Sequence, residues 1–212
     1  MGPADGVPVL YFHGAAGSPM DREATAPLLG EWGVRWFAVQ RPGFGASCRR
    51  PGRTLAQWPS DLATLADALE LDELRIVGVS AGAPYALCAA AALGDRVRAV
   101  AAVVPMCPPR PGAVRPALAR LPRAHHILDD VLPLLAPWPF ALSAVRAEVQ
   151  VWHGARDRIV PVAGAARLAG ALPAARLTVC EREGHFFFRR RIADVLAGLI
   201  STEGRRSPMV CA

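Results

Sequence analysis

Residues 78–82 read Gly-Val-Ser-Ala-Gly, and the segments on either side of them indicate the fold. Before this pentapeptide, residues 74–77 (Leu-Arg-Ile-Val) form a short apolar run that predicts a buried strand. After it, residues 83–90 (Ala-Pro-Tyr-Ala-Leu-Cys-Ala-Ala) predict a helix. Gly-x-Ser-x-Gly between a strand and a helix is the signature of a nucleophile elbow, a tight turn that lifts the serine hydroxyl clear of the sheet. Glycine at both ends of the pentapeptide fits this turn because it leaves room there.

Short apolar runs and helical patterns alternate along the rest of the chain. Residues 62, 65, 66 and 69 are apolar at the spacing of one helix face, and residues 192, 195, 196 and 199 repeat that spacing. Buried strands that alternate with helices predict an α/β fold, a mostly parallel, doubly wound sheet of about six strands with helices on both faces. The predicted strands are residues 8–13, 34–39, 74–79, 97–104, 148–153 and 176–181.

Residues 105–147 interrupt this alternation. They are rich in proline but too apolar for a flexible linker, so we expect a short helical cap inserted between two strands. The predicted core is then residues 1–104 together with 148–203, and residues 204–212 are expected to form a flexible tail.

Composition narrows the class of protein. A chain of 212 residues with 52% hydrophobic and 20% charged residues indicates one globular domain. No segment reaches the roughly 20 uninterrupted apolar residues that a membrane helix requires. The start of the chain lacks a basic region followed by a long apolar one, so we expect a cytoplasmic protein.

The cysteines and the basic residues do not predict a metal site or a nucleic-acid interface. The five cysteines are scattered without a Cys-x-x-Cys pair, and Cys88 and Cys180 fit small apolar core residues. All 24 basic residues are arginine, and no aromatic residues interleave with the arginine clusters. We therefore interpret the net charge of +6 as solvated surface and expect neither a nucleic-acid nor a membrane partner.

A serine nucleophile needs a base, and the base needs a group that orients it. In an open parallel sheet the reacting residues lie in loops after the carboxyl ends of the strands. Asp157 and His185 both follow predicted strands, and the chain order Ser80, Asp157, His185 is the order that accompanies this elbow. We predict these three as nucleophile, orienting carboxylate and base.

An oxyanion that forms during acyl transfer needs backbone donors. The N–H of Ala81 directly follows the nucleophile at the start of a helix, and the N–H of Ala15 belongs to the loop after the first strand. We predict these two as donors, with Ala16 as the substitute if the register differs by one residue.

Other histidines and aspartates compete for these roles. His13 and His153 each precede a glycine at a strand end, where a hydrogen bond that ties down a loop is the favoured interpretation. His125 and His126 lie in the cap, where a surface position or cap packing is the favoured interpretation. Asp129 and Asp130 also lie in the cap, which gives them no strand to hold them. The cap carries five arginines against two aspartates, a pattern compatible with a carboxylate-bearing substrate but interpreted here as a solvated cap surface.

With these motifs the chain resembles the α/β-hydrolase fold superfamily, in particular bacterial serine hydrolases of the esterase type. The resemblance rests on HGAAGS at 13–18, RPGFGAS at 41–47, GVSAGAPYAL at 78–87, and WHGARDRIVP at 152–161 with EGH at 183–185. It implies Ser80 as nucleophile, Asp157 as orienting group and His185 as base. The serine argues against haloalkane dehalogenases and epoxide hydrolases, which resemble this family but carry aspartate at the elbow.

The chain departs from the family pattern in two places. Family members usually begin with two more strands, one of them antiparallel, which this chain lacks, so that strand 34–39 is expected at an exposed sheet edge. An exposed edge of this kind leaves three alternatives open. The chain could form a homodimer through the edge, the exposed edge could be tolerated, or the gene start could be misassigned. The cap is also short, which favours small or flexible acyl substrates with open access. Aromatic and sulfur side chains near the motif loops or in the cap are candidates for the pocket lining, namely Phe44, Met106, Trp138 and Phe186, together with Tyr85 and Phe140.

The sequence thus favours a serine hydrolase that cleaves small ester or thioester substrates through an acyl-enzyme, without metal or organic cofactor. Two alternatives use the same triad, namely amide cleavage of the aminopeptidase type and perhydrolysis. A third alternative from another class is a non-catalytic binding protein on this fold with a truncated N-terminus. Fold alone does not decide among these functions.

Overall fold

The computed structural model describes residues 1–15, 17, 29–108 and 125–201. Six strands form the sheet: β1 (Val7–Phe12), β2 (Val34–Val39), β3 (Leu74–Val79), β4 (Val97–Val103), β5 (Glu148–Gly154) and β6 (Ala175–Cys180). The α-helices with defined bounds are α1 (Trp58–Ala68), α2 (Gly82–Leu93), α3 (His125–Val131), α4 (Val162–Ala171) and α5 (Phe188–Ile200).

All six predicted strands are confirmed, with bounds that differ by at most one residue. They form one sheet in the order β2-β1-β3-β4-β5-β6, and every neighbouring pair is parallel. From β1 the chain first adds β2 on one side, and then crosses back to add β3, β4, β5 and β6 in turn on the other side. The direction of winding therefore reverses between β1 and β3. This doubly wound arrangement places the carboxyl ends of all six strands along one edge, where a site is expected.

Alternating side chains of the strands build a core on each face of the sheet. In β1, Leu10 and Phe12 point to the face covered by α1, α2 and α4, whereas Val9 and Tyr11 point to the face covered by α5. The sheet is therefore buried on both sides, which explains why its strands are continuous apolar runs in the sequence.

The two helix patterns in the sequence are confirmed. In α1, Leu62 and Ala66 are buried, and in α5 the whole predicted stripe at 192, 195, 196 and 199 is buried. The side chain of Gln57 accepts a hydrogen bond of 3.0 Å from the backbone N–H of Thr54, one half of a capping box before α1.

The described part of the cap contains short helical segments joined by irregular chain. Helix α3 continues into a 3-10 turn at Leu132–Leu135, and a second 3-10 turn lies at Leu142–Ala144. The predicted cap residues 109–124 and the predicted tail lie outside the described residues. The division into core, cap and tail therefore stays a prediction.

Strand β2 lies at one edge of the described sheet, as expected. On its outer side the backbone N–H of Trp36 donates to the carbonyl of Met1 at 2.8 Å, and the amino group of Met1 donates to the carbonyl of Trp36 at 3.0 Å. Among the described residues no antiparallel strand covers this edge. The homodimer through this edge stays a prediction.

Two further expectations concern helices and cysteines. No helix within the described ranges is long and apolar enough to cross a membrane. Cys88 and Cys180 are both buried, which confirms them as core residues. The cytoplasmic location stays a prediction.

Candidate active site

Ser80 lies on a strained turn between β3 and α2. Its φ is +52°, in the left-handed region that costs a non-glycine residue free energy and that the surrounding structure must enforce. A side chain at either flanking glycine would collide with backbone: a Cβ on Gly82 would lie 2.2 Å from the carbonyl oxygen of Phe12, and one on Gly78 would lie 2.7 Å from the Cα of Ala83. The elbow predicted from the sequence is therefore present, with both glycines required by space.

Backbone hydrogen bonds hold the elbow against the end of β4. The N–H of Ser80 donates to the carbonyl of Val103 at 2.8 Å, and the N–H of Met106 donates to the carbonyl of Ser80 at 3.1 Å. Val104, between these partners, also has a positive φ of +42°. Two strained residues thus adjoin at the carboxyl edge, a pattern often found at functional sites.

Asp157 and His185 form a close pair in the loops after β5 and β6. His185 Nδ1 lies 2.7 Å from Asp157 Oδ2, and the Asp157 side chain is fully buried. The other carboxylate oxygen, Oδ1, accepts the backbone N–H groups of Ile159 at 2.7 Å and Val160 at 2.9 Å. Three donors therefore fix this carboxylate, which in turn directs the imidazole.

His153, at the end of β5, lies beside this pair. Its Nδ1 is 3.0 Å from the carbonyl of Gly154, which confirms the predicted loop-tying hydrogen bond. Its Nε2 is 3.8 Å from Asp157 Oδ2, which is too far for a hydrogen bond. Within the described residues this nitrogen has no hydrogen-bond partner. Burial lowers the pKa of His153, so the neutral form is favoured.

The loop after β1 lies against the nucleophile. A Cβ on Gly14 would be 3.6 Å from the Cβ of Ser80, so this loop passes directly over the elbow. Ala15, next in the chain, is half-buried, and Ala81 lies at the N-cap of α2. Both predicted oxyanion donors are thus on backbone that adjoins Ser80. Their function as donors stays a prediction.

His13 anchors the same loop. Its Nδ1 lies 2.7 Å from the carbonyl of Gly14, which confirms the predicted loop-tying role, and its Nε2 accepts the backbone N–H of Arg41 at 3.4 Å. Burial, and then the neighbouring Arg41 guanidinium, lower the pKa of His13 to about 4. The imidazole is therefore neutral near pH 7.

The two cap aspartates differ in exposure: Asp130 is buried, whereas Asp129 lies in an ion pair at the surface. Asp130 is 5% exposed and binds Arg41, itself fully buried, through two hydrogen bonds of 2.7 Å each. Asp129 binds the exposed Arg49. The interpretation of Asp130 as a solvated cap residue is wrong, because its partner lies on a core loop far away in the sequence.

The six predicted pocket residues differ in exposure, with Tyr85 buried and Phe140 half-buried. Phe44 is buried with its ring 4.5 Å from that of His13, so it packs against the loop after β1. Trp138 is half-buried, and Met106 is partly buried next to the elbow. Phe186 is 77% exposed and touches His185 edge to face at 5.2 Å. A lining role for each of them stays a prediction.

The structure therefore brings Asp157 and His185 into direct contact and places Ser80 on the same edge of the sheet. Within the described ranges it records no hydrogen bond between Ser80 Oγ and the His185 imidazole. Such bonds are often long before substrate binds, so the assignment of a triad stays a prediction. No group of three or more potential metal ligands occurs among the described residues.

Sequence reasoning missed the Arg41–Asp130 pair and the approach of His153 to Asp157. The sequence offered only a weak signal for the pair. Arg41 directly precedes a Pro-Gly turn and Asp130 lies in an arginine-rich cap, and both positions are typical of exposed residues. It offered no signal for the His153 contact, which depends on the curvature of one loop.

Comparison with known proteins agrees with this architecture. The sequence profile of a family described as "alpha/beta hydrolase fold" matches residues 7–126. A carboxylesterase structure from Nitrososphaera gargenis superposes with a TM-score of 0.80 at 16% identity, covering 95% of this chain and 92% of that one. An esterase structure from Exiguobacterium antarcticum superposes with a TM-score of 0.73 at 18% identity, covering 92% and 91%. At these identities the superpositions show the fold alone.

Two curated relatives match parts of the chain. A pimeloyl-[acyl-carrier protein] methyl ester esterase of Aromatoleum aromaticum is 34% identical over 139 residues, which are 64% of this chain and 51% of that protein. The uncharacterized hydrolase YcgS of Bacillus subtilis is 28% identical over 92 residues, 43% of this chain and 32% of that protein. The chain thus spans at most about half the length of these relatives. Since the family profile covers more than half of the chain, the protein belongs to the alpha/beta hydrolase fold family.

Proposed function

We propose that this protein is a serine hydrolase that cleaves small ester or thioester substrates through an acyl-enzyme. The observation that carries the proposal is the 2.7 Å contact between His185 Nδ1 and the buried Asp157, on the same edge of the sheet as the strained Ser80. The curated esterase that resembles part of the chain supports the ester class.

The contact with Asp157 determines which imidazole nitrogen can act as a base. A carboxylate accepts but does not donate, so the proton of neutral His185 resides on Nδ1 and leaves Nε2 with a free lone pair. The His185 side chain keeps 10% of its surface exposed, while the Asp157 side chain is shielded from water. This is the arrangement that general-base catalysis needs.

The proposed reaction uses Ser80, His185 and the two backbone donors. His185 Nε2 takes the proton of Ser80 Oγ as that oxygen attacks the acyl carbon, and the carbonyl oxygen becomes an oxyanion. The N–H groups of Ala81 and Ala15 stabilise this charge, which is worth about 3–4 kcal/mol per donor in the transition state. The imidazolium then protonates the leaving alcohol or thiol. Water, deprotonated by His185, releases the acid and restores Ser80.

The cap favours ester over aminopeptidase chemistry. An aminopeptidase of this family would use acidic cap groups to hold the substrate amine, and residues 105–147 contain only Asp129 and Asp130 as acidic residues. Both carboxylates are already paired with arginines, Asp130 with Arg41 and Asp129 with Arg49. No acidic side chain of the cap is left to bind an ammonium group.

The test is hydrolysis of p-nitrophenyl esters of increasing acyl length, with an aminoacyl p-nitroanilide as the amide arm. Ser80→Ala is expected to abolish turnover and labelling by a fluorophosphonate probe, whereas Ser60→Ala, an exposed serine of α1, leaves both unchanged. Wild-type turnover in Ser80→Ala would refute the assignment. A folded wild-type protein that is neither labelled nor active would favour the binding-protein alternative, and faster cleavage of long acyl esters than of acetate would refute the small-substrate class.

A further inference from the structure

The buried ion pair of Arg41 and Asp130 joins the cap to the core. Arg41 Nε and Nη2 each lie 2.7 Å from a different oxygen of Asp130, a two-pronged contact that leaves the Arg41 side chain with no exposed surface. Asp130 belongs to α3 in the cap, whereas Arg41 lies on the loop after β2. The pair therefore exists only when α3 is docked onto the core.

The same guanidinium also binds the loop that follows β1. Arg41 Nη1 donates to the carbonyl of His13 at 2.6 Å, and Nη2 donates to the carbonyl of Gly14 at 3.3 Å. The Gly14 carbonyl receives two further contacts, from His13 Nδ1 at 2.7 Å and from the backbone N–H of Gly17 at 3.1 Å. Two successive carbonyls beside Ser80 are thus directed toward one charged group.

These contacts determine the direction of an N–H group that faces away from Arg41. The carbonyl of Gly14 and the N–H of Ala15 belong to one planar, trans peptide unit, so they point in opposite directions. Because Arg41, His13 and the backbone N–H of Gly17 together hold the Gly14 oxygen on one side, the Ala15 N–H is held on the other. Ala15 is the donor predicted for the oxyanion.

The nucleophile helix meets the same cluster. The hydroxyl of Tyr85, on α2, donates to the backbone carbonyl of Asp130 at 2.9 Å, and the Tyr85 ring lies 4.8 Å from the Arg41 guanidinium carbon. Loop, nucleophile helix and cap helix therefore converge on one ion pair.

We propose that Arg41 and Asp130 are positioning residues for the oxyanion site, through which docking of α3 sets the direction of the Ala15 N–H. The role rests on the proposed ester hydrolysis. Stability alone does not explain this pair, because burying two charges costs desolvation free energy. Apolar side chains of similar volume often stabilise a protein as well or better. Hydrogen bonds to two successive carbonyls supply direction, which apolar packing does not.

The experiment separates direction from stability with four proteins. Asp130→Asn keeps the shape but weakens the pair, and the double variant Arg41→Met with Asp130→Leu replaces it by apolar packing. Asp129→Asn is the matched control, because it removes the neighbouring ion pair with the exposed Arg49 from the same helix. Each is compared with wild type for kcat and KM on p-nitrophenyl acetate and for the midpoint of thermal unfolding. Amide hydrogen exchange is measured at Gly17, whose N–H donates to the Gly14 carbonyl at 3.1 Å and so reports on how firmly that carbonyl is held.

Loss of a well-directed oxyanion donor lowers kcat by about 100-fold or more. Partial misdirection in Asp130→Asn is therefore expected to lower kcat by about 10- to 100-fold. KM is expected to change by less than about threefold. In the double variant the unfolding midpoint returns toward wild type, while kcat stays low and the Gly17 amide exchanges at least about tenfold faster. The control stays within about twofold of wild type in kcat, as expected for an exposed pair.

A double variant that recovers kcat together with stability, or that exchanges like wild type, would overturn the positioning role. The exchange measurement does not depend on turnover. If wild type shows no Ser80-dependent hydrolysis, the proposed function fails, while faster exchange in the double variant alone still supports the effect of the pair on the loop.

Discussion

Acid should destabilise this protein through His13 in a defined pH range. Its pKa falls from the ordinary 6.5 to about 4 in the folded state, because burial and the Arg41 guanidinium disfavour the imidazolium. Above pH 6.5 both folded and unfolded chains keep this histidine neutral, so it contributes no pH dependence. Between pH 6.5 and 4 only the unfolded chain binds the proton, so the free energy of unfolding falls as the pH falls.

The size of the effect follows from the shift in pKa. A difference of about 2.5 pKa units corresponds to about 3.4 kcal/mol when fully developed, of which about 2 kcal/mol is already lost at pH 5. Proteins typically have a free energy of unfolding of about 5–15 kcal/mol, so the loss caused by protonation of His13 is a measurable fraction of the total.

Urea unfolding of wild type and of His13→Asn at pH 7.5, 6 and 5 measures the effect. Asparagine cannot titrate, and its side-chain amide can still donate to the Gly14 carbonyl that His13 contacts at 2.7 Å. The stability difference between the two proteins should shrink by about 2 kcal/mol from pH 7.5 to pH 5, whereas other titrating groups cancel in the comparison. A difference that stays constant with pH would show that His13 is not held neutral, and would refute the burial argument.

Two other variants test the elbow and the acid–base pair. Gly82→Ala should lower the free energy of unfolding by about 3 kcal/mol, because its Cβ would lie 2.2 Å from the carbonyl oxygen of Phe12. The control Gly170→Ala, a helix position with open space around it, should raise that free energy by about 0.5–1 kcal/mol, and equal urea midpoints for the two would contradict the clash. Asp157→Asn should lower kcat by about 10³- to 10⁴-fold with an unchanged circular dichroism spectrum, since the amide would favour the wrong tautomer of His185. Wild-type kcat on p-nitrophenyl acetate in Asp157→Asn would contradict the orienting role.

The strands and the elbow could be read from the sequence because their determinants are local. Each buried parallel strand must be a continuous apolar run, and the runs at 34–39 and 74–79 coincide with β2 and β3. Gly78 and Gly82 indicate a tight turn, because no larger residue fits at either position. The strand order and the pairing of neighbours follow from rules for α/β sheets and not from any one residue.

The partners of Asp157 were only half predictable. Its position after a strand and its order relative to His185 could be inferred, and the 2.7 Å contact agrees with that inference. The two backbone donors at Ile159 and Val160, and the approach of His153, depend on how the loop after β5 folds back. Loop curvature has no periodic signal in a sequence.

The sequence by itself determined the α/β class, the elbow and the chain order of the candidate triad, because periodicity, glycine and strand-end position are properties of short segments. Only the tertiary structure decided that Asp130 is a buried partner of Arg41 and not a solvated cap residue. These two side chains are separated by 89 positions, and nothing in the local sequence of either differs from that of an exposed charge. Whether a charge is buried depends on what the rest of the chain brings against it, and that is settled only when the cap docks onto the core.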